Sequence, residues 1–248
     1  MSEAPFSDIS VRQQEKTGKV PTGLWKKLCR HKFTKKKLST KNLTRLCQEW
    51  ASDELTLVVH SEDVDHAPFF PNAYTVTKRE DVPADMHVGL YYEEMSEIPS
   101  ESYNVILCTG LLEHIPDPDR LLTDLKRILK PGGRLIISAS AIFAFHESPN
   151  NFFHFTPNGF KLLFKDWSHF EMLRGASQPF ETIGILLQRI HLQSDINPFV
   201  RPFVEILFHL VPLLDYTIVA QYDTRQRRDA STLTDTMLPS NVQAVVVK

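Results

Sequence analysis

The chain of 248 residues has few cysteines, little net charge and no apolar run in its first ten residues. Each of these shortages argues against certain classes of protein. Cys29, Cys47 and Cys108 show neither the close pairing of a metal site nor an even number for a disulfide framework, which indicates a reducing compartment. Residues 1–10 are polar, so the sequence predicts a cytoplasmic protein. A net charge of -2 argues against a protein that coats nucleic acid along its whole surface.

Acidic side chains are missing from residues 16–48, where lysines and arginines accumulate. Leu24, Leu28, Leu43 and Leu46 are interleaved with these cations, which predicts short helices with one stripe toward a core and a basic outer face. A solvated surface and a site for an anionic partner both fit this pattern. We therefore treat residues 1–50 as a basic helical N-terminal extension and residues 51–248 as the main domain.

The most regular stretch of the sequence is residues 101–140. An apolar run at 103–108 is followed by an amphipathic run at 119–130, a Pro-Gly-Gly stop at 131–133 and a second apolar run at 134–138. This order predicts a βαβ unit with two parallel strands. Ligands of such sheets bind beyond the carboxyl ends of the strands, so we expect the chemistry near residues 108–117.

Three short pieces of this stretch carry a family resemblance: NVILC at 104–108, LEHIPDP at 112–118 and LKPGGRL at 129–135. Their order and spacing resemble class I S-adenosylmethionine-dependent methyltransferases of the type 11 group. The resemblance implies an α/β, Rossmann-like fold, with a mostly parallel seven-stranded sheet, helices on both faces and an antiparallel last strand. It implies S-adenosylmethionine as cofactor and a small-molecule or carbohydrate-like acceptor. The alternative is a non-catalytic binding or scaffold protein that keeps only the sheet.

The loop after the first expected strand, residues 55–59, departs from the family. Family members carry glycines there, which let the backbone approach the cofactor, whereas residues 60–66 contain none. Three explanations compete: a modified cofactor pose against His60, Ser61 and Glu62, a dead site, or a metal site. The metal alternative uses His60, Glu62, Asp63, Asp65 and His66. Their spacing matches no standard zinc pattern, so we predict no metal.

Further cofactor contacts are implied by the resemblance at the ends of later strands. Lys78 follows the expected second strand, where related folds place a carboxylate for the ribose hydroxyls. Met86 in the third-strand region, or Tyr91 after it, is expected at the edge of the adenine, and core packing is the equal alternative. Cys108, Thr109 and His114 follow or end the fourth strand and are expected to line the cofactor.

Residues 146–157 resemble the family's substrate-side wall, a His-x-x-Pro element followed by an aromatic run. Asn151 and His154 stand where the family has Asp and Arg. Histidine titrates near neutrality, so His114, His146 and His154 are the candidates to remove a proton from the acceptor, and a structural hydrogen-bonding role competes for each. Thr156 followed by Pro157 predicts a helix start.

A long insertion, residues 178–240, separates the expected strands at 170–174 and 242–247. It contains two apolar segments, 182–192 and 199–214, that predict helices. Arg201, Glu205 and His209 recur every four residues and predict one polar stripe on the second helix. This helix is too short to span a bilayer. A lid, a homodimer contact, core packing and docking on a membrane surface are the alternatives for it.

Overall fold

The computed structural model describes residues 23–24, 37–60, 64–221 and 236–248. The strands are β1 Thr56–Val59, β2 Ala73–Thr77, β3 Met86–His87, β4 Tyr103–Thr109, β5 Leu129–Ser140, β6 His169–Ala176 and β7 Asn241–Val247. The helices are α1 Thr40–Glu49, α2 Pro118–Ile128, α3 Pro157–Leu163, α4 Pro179–Gln193 and α5 Arg201–Leu210. Short 3-10 turns lie at Glu93–Glu97, Leu112–His114 and Val211–Thr217.

The strands form one seven-stranded sheet in the order β3-β2-β1-β4-β5-β7-β6. Pairing is parallel from β3 through to β5, while β7 runs antiparallel to both β5 and β6. This confirms the mostly parallel sheet and the antiparallel last strand predicted from the sequence. The chain leaves β1 toward β3 and later returns beside β1 as β4, so the strand order reverses between β1 and β4. Ligands of open parallel sheets bind at this type of switch point.

The sheet is buried on both faces, as its apolar strands require. Val58 of β1 packs in one cluster with Leu43 and Leu46 of α1. Its neighbours Leu57 and Val59 point the other way, into the cluster that contains the apolar stripe of α2. Successive residues of a strand point to opposite faces, so helices are needed on both sides.

The helix and turn signals of the central unit are mostly confirmed. The Asp117 side chain accepts a hydrogen bond from Arg120 N at 3.2 Å, and α2 ends at Ile128. The strand boundary differs, because β5 begins at Leu129 rather than at Arg134. Its register shifts opposite residues 103–105, and Gly132 adopts a φ of +75°. The predicted Pro-Gly-Gly stop is therefore an irregularity inside the strand, which glycine absorbs by taking a left-handed conformation.

The insertion helices α4 and α5 lie where the sequence predicts them, but the polar stripe faces inward. Arg201 is 2% and Glu205 8% exposed, and Glu205 Oε1 lies 2.8 Å from His191 Nε2 on α4. His209 is exposed and does not join them. The opposite, apolar side of α5 faces outward, with Phe203 72% exposed. The lid and homodimer roles of this insertion stay predictions.

None of the helices within the described ranges has the length and apolar character needed to cross a membrane.

At Gly184, α4 packs closely against the end of α5 and the turn that follows α5. A Cβ at this position would lie 2.9 Å from Phe208 O and 2.7 Å from Pro212 Cγ. Glycine in a helix interior is disfavoured by about 1 kcal/mol relative to alanine, so its presence here is explained by packing. The missing side chain lets the two segments of the insertion lie against each other.

We expect Gly184→Ala to lower the free energy of unfolding by about 1–3 kcal/mol, because overpacking against backbone outweighs the gain in helix propensity. Urea denaturation measures this change. Gly159→Ala in α3 is the matched control, since its Cβ would meet only Thr156 Oγ1 at 3.4 Å and is expected to be neutral or stabilising. A stabilised Gly184→Ala protein would contradict the packing argument.

Candidate active site

A cavity of about 370 Å³ opens at the carboxyl edge of the sheet, at the switch point between β1 and β4. Its walls come from the ends of β1, β2, β4 and β5, from the start of α1 and from α4. The lining residues are Lys37, Ser39, Leu43, His60, Lys78, Arg79, Thr109, Gly110, Glu113, His114, Ser138, Ser140, Phe143, His146, Glu147, Arg189 and Asn241. The lining includes four cationic side chains and three imidazoles, against two carboxyl groups.

The end of β4 leaves open space against its backbone. Gly110 follows Thr109 with a φ of +67°, and its N–H donates to Ser138 O at 3.0 Å. No described atom lies within 4 Å of the place where a Cβ of Gly110 would stand. A ligand can therefore approach the backbone at Gly110 more closely than at a residue with a side chain.

Glu113 is a buried carboxylate that joins β4 to β5 and to the loop beyond β5. Its Oε1 accepts hydrogen bonds from Ser140 Oγ at 2.6 Å and from Ser140 N at 3.2 Å. Its backbone oxygen accepts from Phe152 N at 2.8 Å. Oε2 is buried and has no hydrogen-bond partner among the described residues. Burial raises the pKa of Glu113, although the bonds from Ser140 and the nearby His114 oppose the rise.

His114 and His146 meet edge to face inside the cavity, with 3.2 Å between their Nε2 atoms. Each ring is held from its other side by a backbone carbonyl. His114 Nδ1 donates to Asn150 O, and His146 Nδ1 donates to Ala144 O at 3.0 Å. Burial lowers the pKa of His146, and the neighbouring His114 adds to the effect. The pair is therefore fixed in position by the loop that follows β5.

An ion pair closes one side of the cavity. Lys78 Nζ, beyond the end of β2, lies 3.0 Å from Glu147 Oε2 in the loop after β5. Burial by itself would raise the pKa of Glu147, but the hydrogen bond and the charge of Lys78 outweigh it, so the pKa is lowered. Tyr91 Oη donates to Asn150 Oδ1 at 3.3 Å beside this pair. The loop after β5 is thus anchored to the opposite half of the sheet.

In the turn after β1, a residue other than glycine adopts the left-handed backbone conformation that glycine usually provides. His60 adopts a φ of +52°, and its Nδ1 lies 2.9 Å from the hydroxyl of Tyr92, which has a φ of +59°. Both side chains are buried. Left-handed conformations are uncommon for such residues and persist where the surroundings hold them, here through this bond.

The side of the cavity next to α4 has a cationic and aromatic wall. The guanidinium of Arg189 on α4 lies over the Phe143 ring, 4.4 Å from its centroid. Phe143 in turn contacts His146, with 5.3 Å between ring centroids. The insertion therefore contributes a charged side chain to the site beside the imidazole pair.

Several residues predicted from the sequence meet in the cavity: His60, Lys78, Thr109, His114 and His146. Met86 instead packs against the core. Cys108 is fully buried in the core cluster on one face of the sheet and does not line the cavity, and burial raises its pKa. His154 is exposed and lies outside the cavity. Ser61 and Glu62, like Asp63 of the alternative metal cluster, lie outside the described residues.

The sequence reasoning missed Glu113, Ser140, Arg189 and Lys37 as lining residues. Glu113 lay inside the LEHIPDP motif, and its position after an apolar strand was the available signal. Ser140 and Arg189 gave no such signal. Their place in the site depends on β5 extending to residue 140 and on α4 packing beside the loop after β5.

We expect Ser140→Ala to lower the free energy of unfolding by about 1–3 kcal/mol, because it removes a donor to a buried carboxylate. Urea denaturation measures the loss. Ser138→Ala is the matched control in the same strand, since the Ser138 hydroxyl is buried and finds no partner in the described part of the chain. Equal losses in the two variants would show that Glu113 is not held by Ser140.

Known proteins resemble the chain in fold and, over short stretches, in sequence. A SAM dependent methyltransferase from Archaeoglobus fulgidus has a TM-score of 0.51 at 14% identity, covering 85% of this chain and 93% of that one. The [4+2]-cyclase SpnF has a TM-score of 0.50 at 12% identity, covering 83% and 79%. The likeness to these two structures concerns the fold alone.

Curated relatives match only in part. A ubiquinone biosynthesis O-methyltransferase of Pseudomonas savastanoi pv. phaseolicola is 41% identical over 46 residues, 18% of this chain and 20% of that protein. One from Xanthomonas oryzae pv. oryzae is 28% identical over 71 residues, 27% and 30% of the two chains. The model of the methyltransferase domain family, in contrast, matches residues 3–182. The resemblance inferred from the sequence is confirmed, and the chain belongs to the methyltransferase domain family.

Proposed function

We propose that this protein transfers a methyl group from S-adenosylmethionine to an oxygen atom of a small-molecule acceptor. The observation that carries the proposal is the cavity at the switch point, bounded by His60 after β1 and by Gly110 after β4. The family supports methyl transfer as the reaction. The partial matches to proteins named O-methyltransferases support an oxygen acceptor.

The cavity fits the chemistry of the cofactor in two respects, its open space and its charge. The open space at Gly110 admits a ligand against the backbone. Lys37 and Arg79 would complement a carboxylate such as that of the cofactor's methionine part. Lys78 stands where related folds place a carboxylate, so it would act as a hydrogen-bond donor to the ribose hydroxyls. Thr109 would add a hydroxyl at the end of β4.

Bound S-adenosylmethionine supplies an activated methyl group, and the chain's task is to place the acceptor in line with it. The imidazole pair suits this task, because His114 and His146 are both oriented by backbone carbonyls. With Nδ1 donating, each neutral ring keeps a lone pair on Nε2. An acceptor hydroxyl would donate to that nitrogen, which fixes its direction and receives its proton. Arg189 and Phe143 would form the wall behind it.

We expect S-adenosylhomocysteine to bind the full chain with micromolar affinity in isothermal titration calorimetry and to raise its melting temperature. Gly110→Ala should weaken this binding at least tenfold, because the added methyl group enters the open space. Gly132→Ala is the matched control: it too has a positive φ, +75°, and open surroundings, but lies at the start of β5. It should bind like the wild type. No heat and no thermal shift at millimolar ligand would instead favour the scaffold alternative.

The acceptor class is tested by mixing the protein and S-adenosylmethionine with a cell extract separated by molecular size. We expect S-adenosylhomocysteine to form with the low-molecular-weight fraction and not with the protein or nucleic-acid fractions. His146→Gln should reduce this turnover at least tenfold, because the acceptor loses its oriented hydrogen-bond partner. His154→Gln, on an exposed side chain outside the cavity, should keep it. Turnover with the macromolecular fractions alone would overturn the small-molecule assignment.

A further inference from the structure

The imidazole pair has an unusual electrostatic arrangement. A carbonyl oxygen only accepts hydrogen bonds, so the contacts to Asn150 O and Ala144 O place a proton on Nδ1 of both His114 and His146. The two Nε2 atoms, which carry lone pairs in the neutral rings, then face each other at 3.2 Å. Two acceptors at this distance repel unless something positive lies between or beside them.

Glu113 supplies a third donor atom at the same place. One carboxylate oxygen of Glu113 and one ring nitrogen of each histidine all lie within 4.8 Å of one another. Glu113 is 1% exposed, and Oε2 is without a hydrogen-bond partner in the residues that the structure describes. Burying a carboxylate oxygen without a hydrogen-bond partner costs free energy of folding, so we expect a donor or a cation beside it.

We propose that Glu113, His114 and His146 bind a divalent transition-metal ion of the Zn²⁺ type. Adding a proton to one imidazole would resolve the contact between the two rings but would leave Glu113 Oε2 unsatisfied. One cation resolves both, because it accepts the two nitrogen lone pairs and the carboxylate oxygen together. With the ion bound, both Nε2 lone pairs would be coordinated, so the ion would orient the acceptor oxygen in place of the imidazoles. Formation of the metal site itself does not depend on the proposed methyl transfer.

The ligand set and its spacing agree with this ion. Two imidazole nitrogens and one carboxylate oxygen are a recurrent protein set for zinc. Metal–nitrogen bonds of 2.0–2.1 Å in a tetrahedral site place neighbouring ligands about 3.3 Å apart, close to the 3.2 Å between the Nε2 atoms. A Glu113 oxygen that lies within 4.8 Å of both nitrogens would supply the third ligand.

The surroundings of the ligands also resemble those of a metal site. Metal-binding histidines usually donate their second ring N–H to a carbonyl or carboxylate, as both rings do here. Glu113 is likewise held by Ser140, through Oε1. Three protein ligands leave a fourth position open, which is typical of sites that bind a substrate rather than stabilise a fold. Because all three ligands line the cavity, an oxygen of a bound molecule would be able to occupy that position.

The test is a calorimetric titration of the chelator-treated full chain with ZnCl₂ in the absence of cofactor. We expect one ion per chain with micromolar or tighter affinity. His146→Gln and Glu113→Gln should each weaken binding at least tenfold, since each removes a ligand. His169→Gln is the matched control, because His169 is exposed on β6 and should bind like the wild type. Circular dichroism establishes that the variants are folded.

Co²⁺ gives a second readout that needs no variant. A four-coordinate Co²⁺ ion with imidazole and carboxylate ligands absorbs visible light far more strongly than the hydrated ion, and we expect that absorption at one equivalent. Absence of stoichiometric Zn²⁺ binding, or binding that is unchanged in His146→Gln and Glu113→Gln, would overturn the proposal. Because both titrations omit S-adenosylmethionine, their failure would leave the proposed methyl transfer untouched, and the converse also holds.

Discussion

The architecture of the site depends on one buried carboxylate, Glu113. Its side chain is tied to Ser140 at the end of β5, and its backbone oxygen receives the N–H of Phe152 in the loop beyond. The strand ends and the loop are thereby held at fixed positions around the cavity. His114 follows Glu113 in the same short turn, and His146 is brought to it by the loop. This anchor and the backbone carbonyls of Asn150 and Ala144 together set the positions of the two imidazoles.

Positive side chains outnumber negative ones in the lining of the cavity. Cations line it at Lys37, Lys78, Arg79 and Arg189, while Glu147 is paired with Lys78. The sheet tolerates such charges because its stability comes from apolar strands and the helices that cover them, not from the residues at its edge. The fold therefore remains intact although the residues at its edge differ. His60, which is left-handed without being glycine and is held by Tyr92, is one example.

The sequence predicted the sheet well, because apolar runs, prolines and glycines determine the conformation of short segments of the chain. It placed β4, β6 and β7 and the start of α3, and its candidate residues include His114 and His146, which line the cavity. It could not separate His146 from His154, which lie in the same loop, because only the path of the backbone decides which one points into the cavity. The direction of the Arg201 and Glu205 stripe was likewise undetermined, since a helix pattern gives a face but not the neighbour it meets. Arg189 enters the site only through tertiary packing.

The switch point between β1 and β4 is interpreted above as a ligand site built around Glu113 and the two histidines. A crystal structure of the protein with S-adenosylhomocysteine is the direct test. We expect density for the ligand between His60 and Gly110, with its sulfur directed toward the imidazole pair. Density at another surface, or side chains of residues 60–63 filling the cavity in the presence of saturating ligand, would contradict it.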